Sequence, residues 1–276
     1  MAKTAGPVQG HGYATVSGAS LYYDVTGVGE PIVLAHAFSL DSRMWNPQVG
    51  PFSQHHQVIR YDLRGFGQSS PGEGPYINAD DLMGLLQHLG LSRVTVVGSS
   101  LGGGTAINFA LTYPEAVRAL VVVDSSLGGF PVSQEFTAAF AAVRTAAHER
   151  GLDAARAQWM ASPLFASAMT ISTVAIALRM MVEGYSGWHW RHPDLGRMMN
   201  PSANTRLGEI QAPALIIVGE LDTPDFHGIA ATLAREIRGT RSVVVPGTGH
   251  LPNLEAPDFF NTVVLDFLRD ISDSAA

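Results

Sequence analysis

The segment VVGSSLGGGTA, residues 96–106, places two adjacent serines among glycines directly after a run of strand-forming residues. With glycine two positions before and two after Ser100, it matches G-x-S-x-G, which holds a nucleophile on a sharp turn from strand to helix. Small residues are needed there because such a turn crowds its neighbours. The same pattern centred on Ser99 would need glycine where Val97 and Leu101 stand. The spacing therefore predicts Ser100 as a nucleophile.

A phosphate-binding loop is the main alternative for this glycine-rich segment. A P-loop ends in Gly-Lys-Ser or Gly-Lys-Thr, and no lysine lies near residues 96–106. The dinucleotide pattern G-x-G-x-x-G, counted from Gly98, fails because position 100 is serine. On the motif alone, a plain glycine-rich turn stays open.

His250 and Asp222 are candidates for the base and the acid that a serine nucleophile requires. His250 ends the loop PGTGH, which follows the apolar run at 241–245, and Asp222 follows the apolar run at 214–218. Both runs are typical of buried strands, and ligands bind at the carboxyl ends of such strands. The chain order Ser, Asp, His is that of the α/β-hydrolase triad.

The order of apolar runs predicts the architecture that positions these groups. Two alternating runs around Ser17-Gly18-Ala19 indicate an antiparallel hairpin at the start of the chain. Six short apolar runs then alternate with helical patterns such as Asn78–Leu89 and Leu101–Thr112. This alternation predicts an α/β fold with a mostly parallel, doubly wound sheet.

A helical insertion interrupts the predicted sheet. The strand–helix alternation stops after Asp124 and resumes near Pro213, and the interval is rich in alanine and methionine without a strand-like run. We therefore predict a helical cap over residues 130–204, and a core made of residues 1–129 and 205–276.

Composition and charge exclude several classes of protein. The 276 residues are 46% hydrophobic and carry a net charge of −7 without a basic stripe, so we expect no nucleic-acid partner. The absence of cysteine excludes disulfides, thiolate metal sites and a cysteine nucleophile. The first residues, MAKTAGPVQG, lack the apolar region of a signal peptide, so we expect a cytoplasmic location.

The stretch Ala157–Leu178 carries no formal charge and is long enough to suit a membrane span. It also contains Gln158, three serines, two threonines and Pro163, which would break a helix early. We predict helices of an apolar subdomain and no membrane association.

Three further motifs resemble those of α/β-hydrolase-fold serine hydrolases. AHAFSLDSRMW resembles the His-Gly-x loop with its downstream Trp, DLRGFGQSS resembles the Asp-x-Arg-Gly-x-Gly-x-Ser loop, and GHLPNLEAP resembles the end of the catalytic-histidine region. The similarity covers nearly all of the chain and is closest to carboxylesterase and enol-lactonase-like members. It implies an α/β-hydrolase fold and a serine hydrolase that needs no cofactor.

The resemblance also implies a role for each site residue. Ser100 attacks an acyl carbonyl, His250 takes the serine proton and delivers it to the leaving oxygen, and Asp222 holds the imidazole in the correct tautomer. The backbone N–H groups of Leu101 and Phe38 are the expected oxyanion hole.

The acid of the triad has two rivals on the same edge of the predicted sheet. Asp225 lies three residues beyond Asp222, and Asp124 ends a strand at a position that some relatives use instead. Asp222 is the preferred acid, and both rivals stay open.

The loop after the first parallel strand departs from the family pattern. Ala37 follows His36 where the family usually has glycine, a residue that suits a close or positive-φ backbone. Either this loop has an ordinary backbone conformation, or it has shifted and holds Phe38 less firmly than the family does. In the next loop, Asp62 and Arg64 are predicted to form an ion pair that pins the chain.

Aromatic residues and methionines of the cap predict an apolar roof over the site. The predicted pocket residues are His36, Ala37, Trp159, Leu164, Phe165, Trp188 and Leu251. They favour hydrolysis of a carboxylic ester or lactone of an uncharged, medium-sized apolar substrate. Carbon–carbon cleavage of a diketone or cofactor-free perhydrolysis on the same triad stays open, whereas a non-enzymatic binder would need an idle triad. His189 and His192 lack a partner at metal-ligand spacing, so no metal is predicted; the oligomeric state stays open.

Overall fold

The computed structural model describes residues 9–193 and 195–275, which carry an eight-stranded sheet. Residues 1–8, where no signal peptide is predicted, lie outside that part of the chain. The strands are β1 (Gly10–Val16), β2 (Ala19–Thr26), β3 (Glu30–Ala35), β4 (His56–Tyr61), β5 (Val94–Ser99), β6 (Val117–Val123), β7 (Ala214–Gly219) and β8 (Arg241–Val245).

The sheet begins as an antiparallel hairpin and continues as a parallel sheet. β1 pairs with β2 across Ser17 and Gly18, whose φ angles of +44° and +77° are those that a type I′ turn requires. The strand order is β1-β2-β4-β3-β5-β6-β7-β8, and every neighbouring pair among β3–β8 is parallel. The predicted mostly parallel α/β sheet with an N-terminal hairpin is confirmed.

Helices pack around the sheet. They are α1 (Asn46–Ser53), α2 (Asn78–Leu89), α3 (Leu101–Thr112), α4 (Gln134–Glu149), α5 (Leu152–Met160), α6 (Ser172–Gly184), α7 (Trp188–Arg191), α8 (Pro224–Glu236), α9 (Pro252–Glu255) and α10 (Pro257–Ala275). All residues of β5 and β7 are buried, as expected for central strands with both faces covered. These two strands precede Ser100 and Asp222, so a rigid scaffold holds both residues.

Helices α4–α7 lie between β6 and β7, within the segment 130–204 that the sequence assigns to a cap. The uncharged stretch inside it is divided, because α5 ends at Met160, short 3₁₀ turns follow, and α6 begins at Ser172. Over the described ranges, no helix is both long and apolar enough to cross a membrane. The boundaries of the cap stay a prediction.

Arg64 and Asp62 each bind another segment of the chain, but the prediction that they form an ion pair with each other is wrong. The Arg64 guanidinium instead binds both carboxylate oxygens of Asp81 on α2 at 2.6 and 2.7 Å, with both side chains at most 3% exposed. Asp62 accepts hydrogen bonds from the backbone N–H groups of Ser42 and Gln68 at 2.7 and 2.8 Å. The sequence neighbours point in different directions, and each binds a partner that is distant in the chain.

Replacing Asp81 by alanine is expected to lower the free energy of unfolding by about 3–5 kcal/mol, because the buried Arg64 charge loses its partner. Equilibrium urea unfolding measures this difference. The matched control is Glu30→Ala at the solvent-exposed Arg118 pair, where the expected cost is below about 1 kcal/mol. Equal losses in the two variants would mean that water reaches and solvates Arg64.

Candidate active site

The structure brings the three predicted triad residues to one edge of the sheet. Ser100 follows β5, Asp222 follows β7 and His250 follows β8, and the carboxyl ends of these parallel strands share that edge. Ser100 and His250 line the same small cavity. The arrangement follows from the order of strands that the sequence predicts.

Ser100 occupies a strained turn between β5 and α3. Its φ and ψ angles are +51° and −111°, a backbone region in which non-glycine residues are uncommon and cost about 1–3 kcal/mol. A Cβ on Gly98 would collide with the carbonyl of Gly102, and a Cβ on Gly102 would collide with the carbonyl of Ala35. Both glycines of the G-x-S-x-G pattern are therefore needed for backbone contact, as the motif requires.

His250 and Asp222 form a buried hydrogen-bonded pair. The Nδ1 of His250 lies 2.8 Å from Oδ2 of Asp222, and Asp222 Oδ1 accepts the N–H of Thr223 at 2.6 Å. Burial raises the pKa of Asp222, but the charge and hydrogen bond of His250 outweigh it, so the pKa lies below its usual value. Ionised Asp222 therefore accepts a hydrogen bond from Nδ1–H of His250. Nε2 of His250 is then the unprotonated nitrogen that can act as a base.

Both rival acids have other partners. Asp225 accepts the backbone N–H and the hydroxyl of Ser133, the residue before α4, at 2.8 and 2.6 Å. Asp124 is 1% exposed, has a φ of +41°, and accepts the N–H of Gly219 at 2.9 Å through Oδ1. Asp225 thus holds the cap, while Asp124 lies directly behind the triad.

The carboxyl group of Asp124 lies close to that of Asp222. Burial, and then the nearby charge of Asp222, raise the pKa of Asp124 well above its usual value. Its Oδ2 has no N–H or hydroxyl partner among the described residues, which leaves it available to donate to the nearby Asp222 carboxylate when it is protonated. A raised pKa on one carboxyl group and a lowered pKa on the other are expected for two buried carboxyl groups that lie close together.

Replacing Asp124 by asparagine is expected to retain most of the activity, because an amide still donates to Asp222 and accepts from Gly219. The wild-type residue keeps its proton to a higher pH when folded, so its contribution to stability declines as pH rises above the unfolded pKa of about 3.9. The variant should therefore gain unfolding free energy relative to wild type between pH 5 and pH 8, measured by urea unfolding. Asp124→Leu is the control that loses both hydrogen bonds, and it should lose activity. A collapse of kcat in Asp124→Asn would instead show that Asp124 acts as a charged acid.

Both ring nitrogens of His189 and Nδ1 of His192 are already hydrogen-bonded. His189 lies 2.8 Å from the Tyr185 hydroxyl at Nδ1 and 3.3 Å from the Tyr76 hydroxyl at Nε2, and His192 Nδ1 lies 3.0 Å from the Trp188 carbonyl. Within the described part of the chain, Asp124, Asp222 and His250 are the group whose ligand atoms could converge on an ion. A cation there would have to replace the His250–Asp222 bond, so the geometry favours the proton-transfer arrangement.

Two backbone N–H groups are free to form an oxyanion hole. In the described residues, neither Phe38 N–H nor Leu101 N–H donates a hydrogen bond. Leu101 begins α3, so its N–H has no acceptor within the helix and points out of the N-terminal end. The partial positive charge at this end of the helix dipole favours an anion there. Ala37 has an ordinary φ, and the left-handed residue of this loop is Ser39, with φ +64°. Ala37 therefore has no need of a glycine's conformational freedom, and the positive φ of this loop lies two residues further on.

Two residues that the sequence assigns to the pocket lie elsewhere. His36 is fully buried, where its Nε2 accepts the N–H of Leu63 and its Nδ1 donates to the Ala37 carbonyl, each at 2.8 Å. Burial lowers the pKa of His36, which favours the neutral imidazole. Its hydrogen bond with Leu63 connects the loop after β3 to the loop after β4. Trp188 is half-buried and packs on the rings of His189 and His192 at 4.9 and 5.3 Å.

The cavity between Ser100 and His250, hereafter the chamber, is small and apolar. It measures about 20 Å³, room for about one water molecule. Besides Ser100 and His250 it is lined by Ala37, Phe38, Phe136, Phe140, Trp159, Leu164, Phe165 and Leu251. Five predicted pocket residues are among them, whereas sequence reasoning missed Phe136 and Phe140. Their signal was the i, i+4 spacing of two aromatics on one helix.

Glu255 braces the loop of His250 and was also missed. Its carboxylate accepts the N–H of Gly249 at 2.8 Å, the N–H of Leu251 at 3.1 Å and the hydroxyl of Ser167, in the cap, at 2.5 Å. It thereby holds both sequence neighbours of His250. The signal was a glutamate shortly after the histidine, in the motif GHLPNLEAP.

The side chain of Phe38 joins the core to the cap. Its ring packs within 6.4 Å of six others, those of Phe66, Phe140, Trp159, Tyr185, His189 and Trp190. Trp159 Nε1 also donates to the hydroxyl of the neighbouring Ser39 at 2.5 Å. The residue predicted to supply one oxyanion donor is therefore held by aromatic contacts from both parts of the fold.

Comparison with known proteins places this fold and site in a family. The model of the alpha/beta hydrolase family matches residues 32–263, and the chain belongs to that family. It is a hydrolase of the alpha/beta fold.

Relatives with different substrates resemble this chain over nearly its whole length. The enol-lactonase of Burkholderia xenovorans LB400 is 28% identical with a TM-score of 0.77, covering 94% of this chain and 100% of that one. A thermophilic esterase from Thermogutta terrifontis is 27% identical with a TM-score of 0.79, covering 95% and 98%. The 2-hydroxy-6-oxononadienedioate/2-hydroxy-6-oxononatrienedioate hydrolase of Burkholderia vietnamiensis is 29% identical over 272 residues, 90% of this chain and 91% of the relative.

Proposed function

We propose that this protein hydrolyses a carboxylic ester or lactone of an uncharged, medium-sized apolar substrate through an acyl-serine intermediate. The observation that carries this proposal is that Ser100 and His250, which is hydrogen-bonded to Asp222, line one apolar chamber. Phe38, in the chamber wall, and Leu101, next to Ser100, each have a free backbone N–H group. The similarity to an enol-lactonase and an esterase supports the same class of bond.

The geometry assigns each chemical step to a group of this chain. Nε2 of His250 takes the Ser100 proton as Oγ attacks the acyl carbon, and Asp222 stabilises the imidazolium that forms. The N–H groups of Phe38 and Leu101 receive the tetrahedral oxyanion, and removing one such donor typically costs about 3–4 kcal/mol. His250 then protonates the leaving oxygen, and the reverse sequence with water releases the acid and Ser100.

The charge of the site favours a neutral substrate. Among the described residues that line the chamber, His250 is the only one that can carry a positive charge. Arg179, Arg191 and Arg197 of the cap are exposed. A carboxylate in the substrate would therefore lose its hydration without gaining an ionic partner, which is costly in an apolar site. This argues against a dicarboxylate such as the substrate named for the relative from Burkholderia vietnamiensis.

A panel of p-nitrophenyl esters from acetate to decanoate, with a matched ω-carboxylate ester, tests the proposal. The neutral esters should have the higher kcat/KM, rising with each buried methylene by up to about 0.8 kcal/mol until the cavity is filled. Parallel assays with a lactone, a carbamate and a diketone compare the type of bond. A highest kcat/KM for the ω-carboxylate ester, or turnover of the diketone alone, would overturn the proposal.

A further inference from the structure

The chamber is too small for the substrate that it must process. Its volume of about 20 Å³ suits one water molecule, whereas even an acetyl group has three heavy atoms besides the leaving oxygen. If the protein is the esterase or lactonase proposed above, the chamber must connect to a second space that holds the rest of the substrate.

A cavity of about 490 Å³ lies on the other side of two residues of the chamber wall. Phe136 and Leu164 line both spaces. The larger cavity, hereafter the vestibule, also includes Ala139, Pro163 and Pro224, and apolar atoms make up most of its wall. Its size falls in the range of small-molecule sites.

We infer that the vestibule is the binding site for the apolar arm of the substrate, and that Phe136 and Leu164 form the gate between it and the chamber. Rotation of these two side chains joins the spaces without breaking a hydrogen bond of the triad. Phe136 contacts the rings of Phe140 and Phe226 at 5.0 and 5.8 Å, and Phe226 in turn packs on His250 at 4.3 Å. The gate therefore opens beside the catalytic base.

The helix that carries Phe136 is anchored at the vestibule, so the gate moves by side-chain rotation. Ser133, the residue before α4, is held by two hydrogen bonds to Asp225, and its hydroxyl caps the helix by accepting the N–H of Phe136 at 3.1 Å. The carboxylates of Asp225 and Glu135 are also part of the vestibule wall. They repel a substrate carboxylate, so the arm that fits is uncharged.

A second cavity next to the chamber is a poorer candidate. It measures about 180 Å³ and is lined in part by Phe38 and Leu101, the two residues proposed to supply the oxyanion N–H groups. Its wall also includes polar side chains such as Tyr76 and Asn108. Opening on that side would move the two residues that supply the oxyanion N–H groups. Phe38 is moreover held by six ring contacts, so this wall is the more rigid one.

The test fills the vestibule without touching the chamber. Ala139→Leu adds three carbons on a helix surface that lines the vestibule, and Ala138→Leu, its exposed neighbour, is the matched control. The probes are the ethyl and octyl p-nitrophenyl esters of methylphosphonic acid and the p-nitrophenyl esters of acetic and octanoic acid. In phosphonylation, Ser100 Oγ forms the bond to phosphorus, p-nitrophenolate leaves, and His250 receives the serine proton.

We expect Ala139→Leu to lower the octyl-to-ethyl labelling ratio, or the octanoate-to-acetate ratio of kcat/KM, by at least about tenfold, with Ala138→Leu unchanged. Phe136→Ala should raise the same ratio by opening the gate. Equal ratios in Ala139→Leu and Ala138→Leu would overturn the inference. So would a fall in Asn108→Leu alone, because it would place the arm in the polar cavity.

The same experiment separates failure of this inference from failure of the proposed function. If wild-type Ser100 reacts with neither phosphonate in intact-mass measurements and no ester is hydrolysed, the proposed function is wrong and the inference falls with it. If Ser100 reacts and the ratios are insensitive to Ala139→Leu, the hydrolase chemistry stands and only the vestibule is excluded.

Discussion

Replacing Ser100 by alanine is expected to lower kcat by about 10⁴–10⁶-fold and to abolish labelling by a fluorophosphonate. The nucleophile is lost, while the oxyanion N–H groups of Phe38 and Leu101 stay in place and leave a residual rate. Ester hydrolysis and intact-mass measurement of the phosphonylated protein give the two readouts.

The adjacent serine provides a matched control for this variant. Ser99 is fully buried at the end of β5, and its hydroxyl has no hydrogen-bond partner within the described residues. Ser99→Ala removes an unsatisfied buried hydroxyl. The variant should therefore keep its activity, and its unfolding free energy should stay the same or rise. Loss of labelling in Ser99→Ala but not in Ser100→Ala would transfer the nucleophile to the neighbouring residue.

Replacing Asp222 by asparagine is expected to lower kcat by about 10⁴-fold with little change in the fold. An amide at this position donates to Nδ1 of His250 and so moves the ring proton to Nε2, the nitrogen that must act as a base. Steady-state kinetics on a short neutral ester measures the loss.

The two rival carboxylates distinguish a triad acid from a general charge effect. Asp225→Asn should change kcat far less, because its partner is Ser133 at the start of the cap. Asp124→Asn should also remain active, because burial and the charge of Asp222 raise the pKa of Asp124 and so favour its neutral form, which an amide resembles. A larger loss in either of these variants than in Asp222→Asn would reassign the acid.

Local patterns predicted the scaffold and the positions of the candidate site residues because each pattern has a local physical cause. Turn chemistry at Ser17-Gly18 and buried apolar runs define the sheet, and backbone crowding at Gly98 and Gly102 defines the nucleophile turn. Parallel strands bring their carboxyl ends together whatever their order in the chain. The three groups of the proposed triad could therefore be chosen before their contacts were visible.

Contacts between distant segments could not be predicted in the same way. Arg64 binds Asp81 rather than Asp62 because its direction depends on how α2 packs, and no pattern encodes that. Whether Trp188 faces the site or its own neighbours depends on the fold of the cap. The size of the chamber depends on how α4 and α5, which supply three aromatic residues of its wall, pack over Ser100, and the composition of the cap does not determine that.

The Glu255 carboxylate links the cap to the loop that carries His250. It accepts from Ser167 in the cap and from the two backbone groups beside His250. Loss of the Ser167 hydrogen bond would remove one of the contacts that fix this carboxylate, so the position of the cap and the orientation of His250 are energetically coupled.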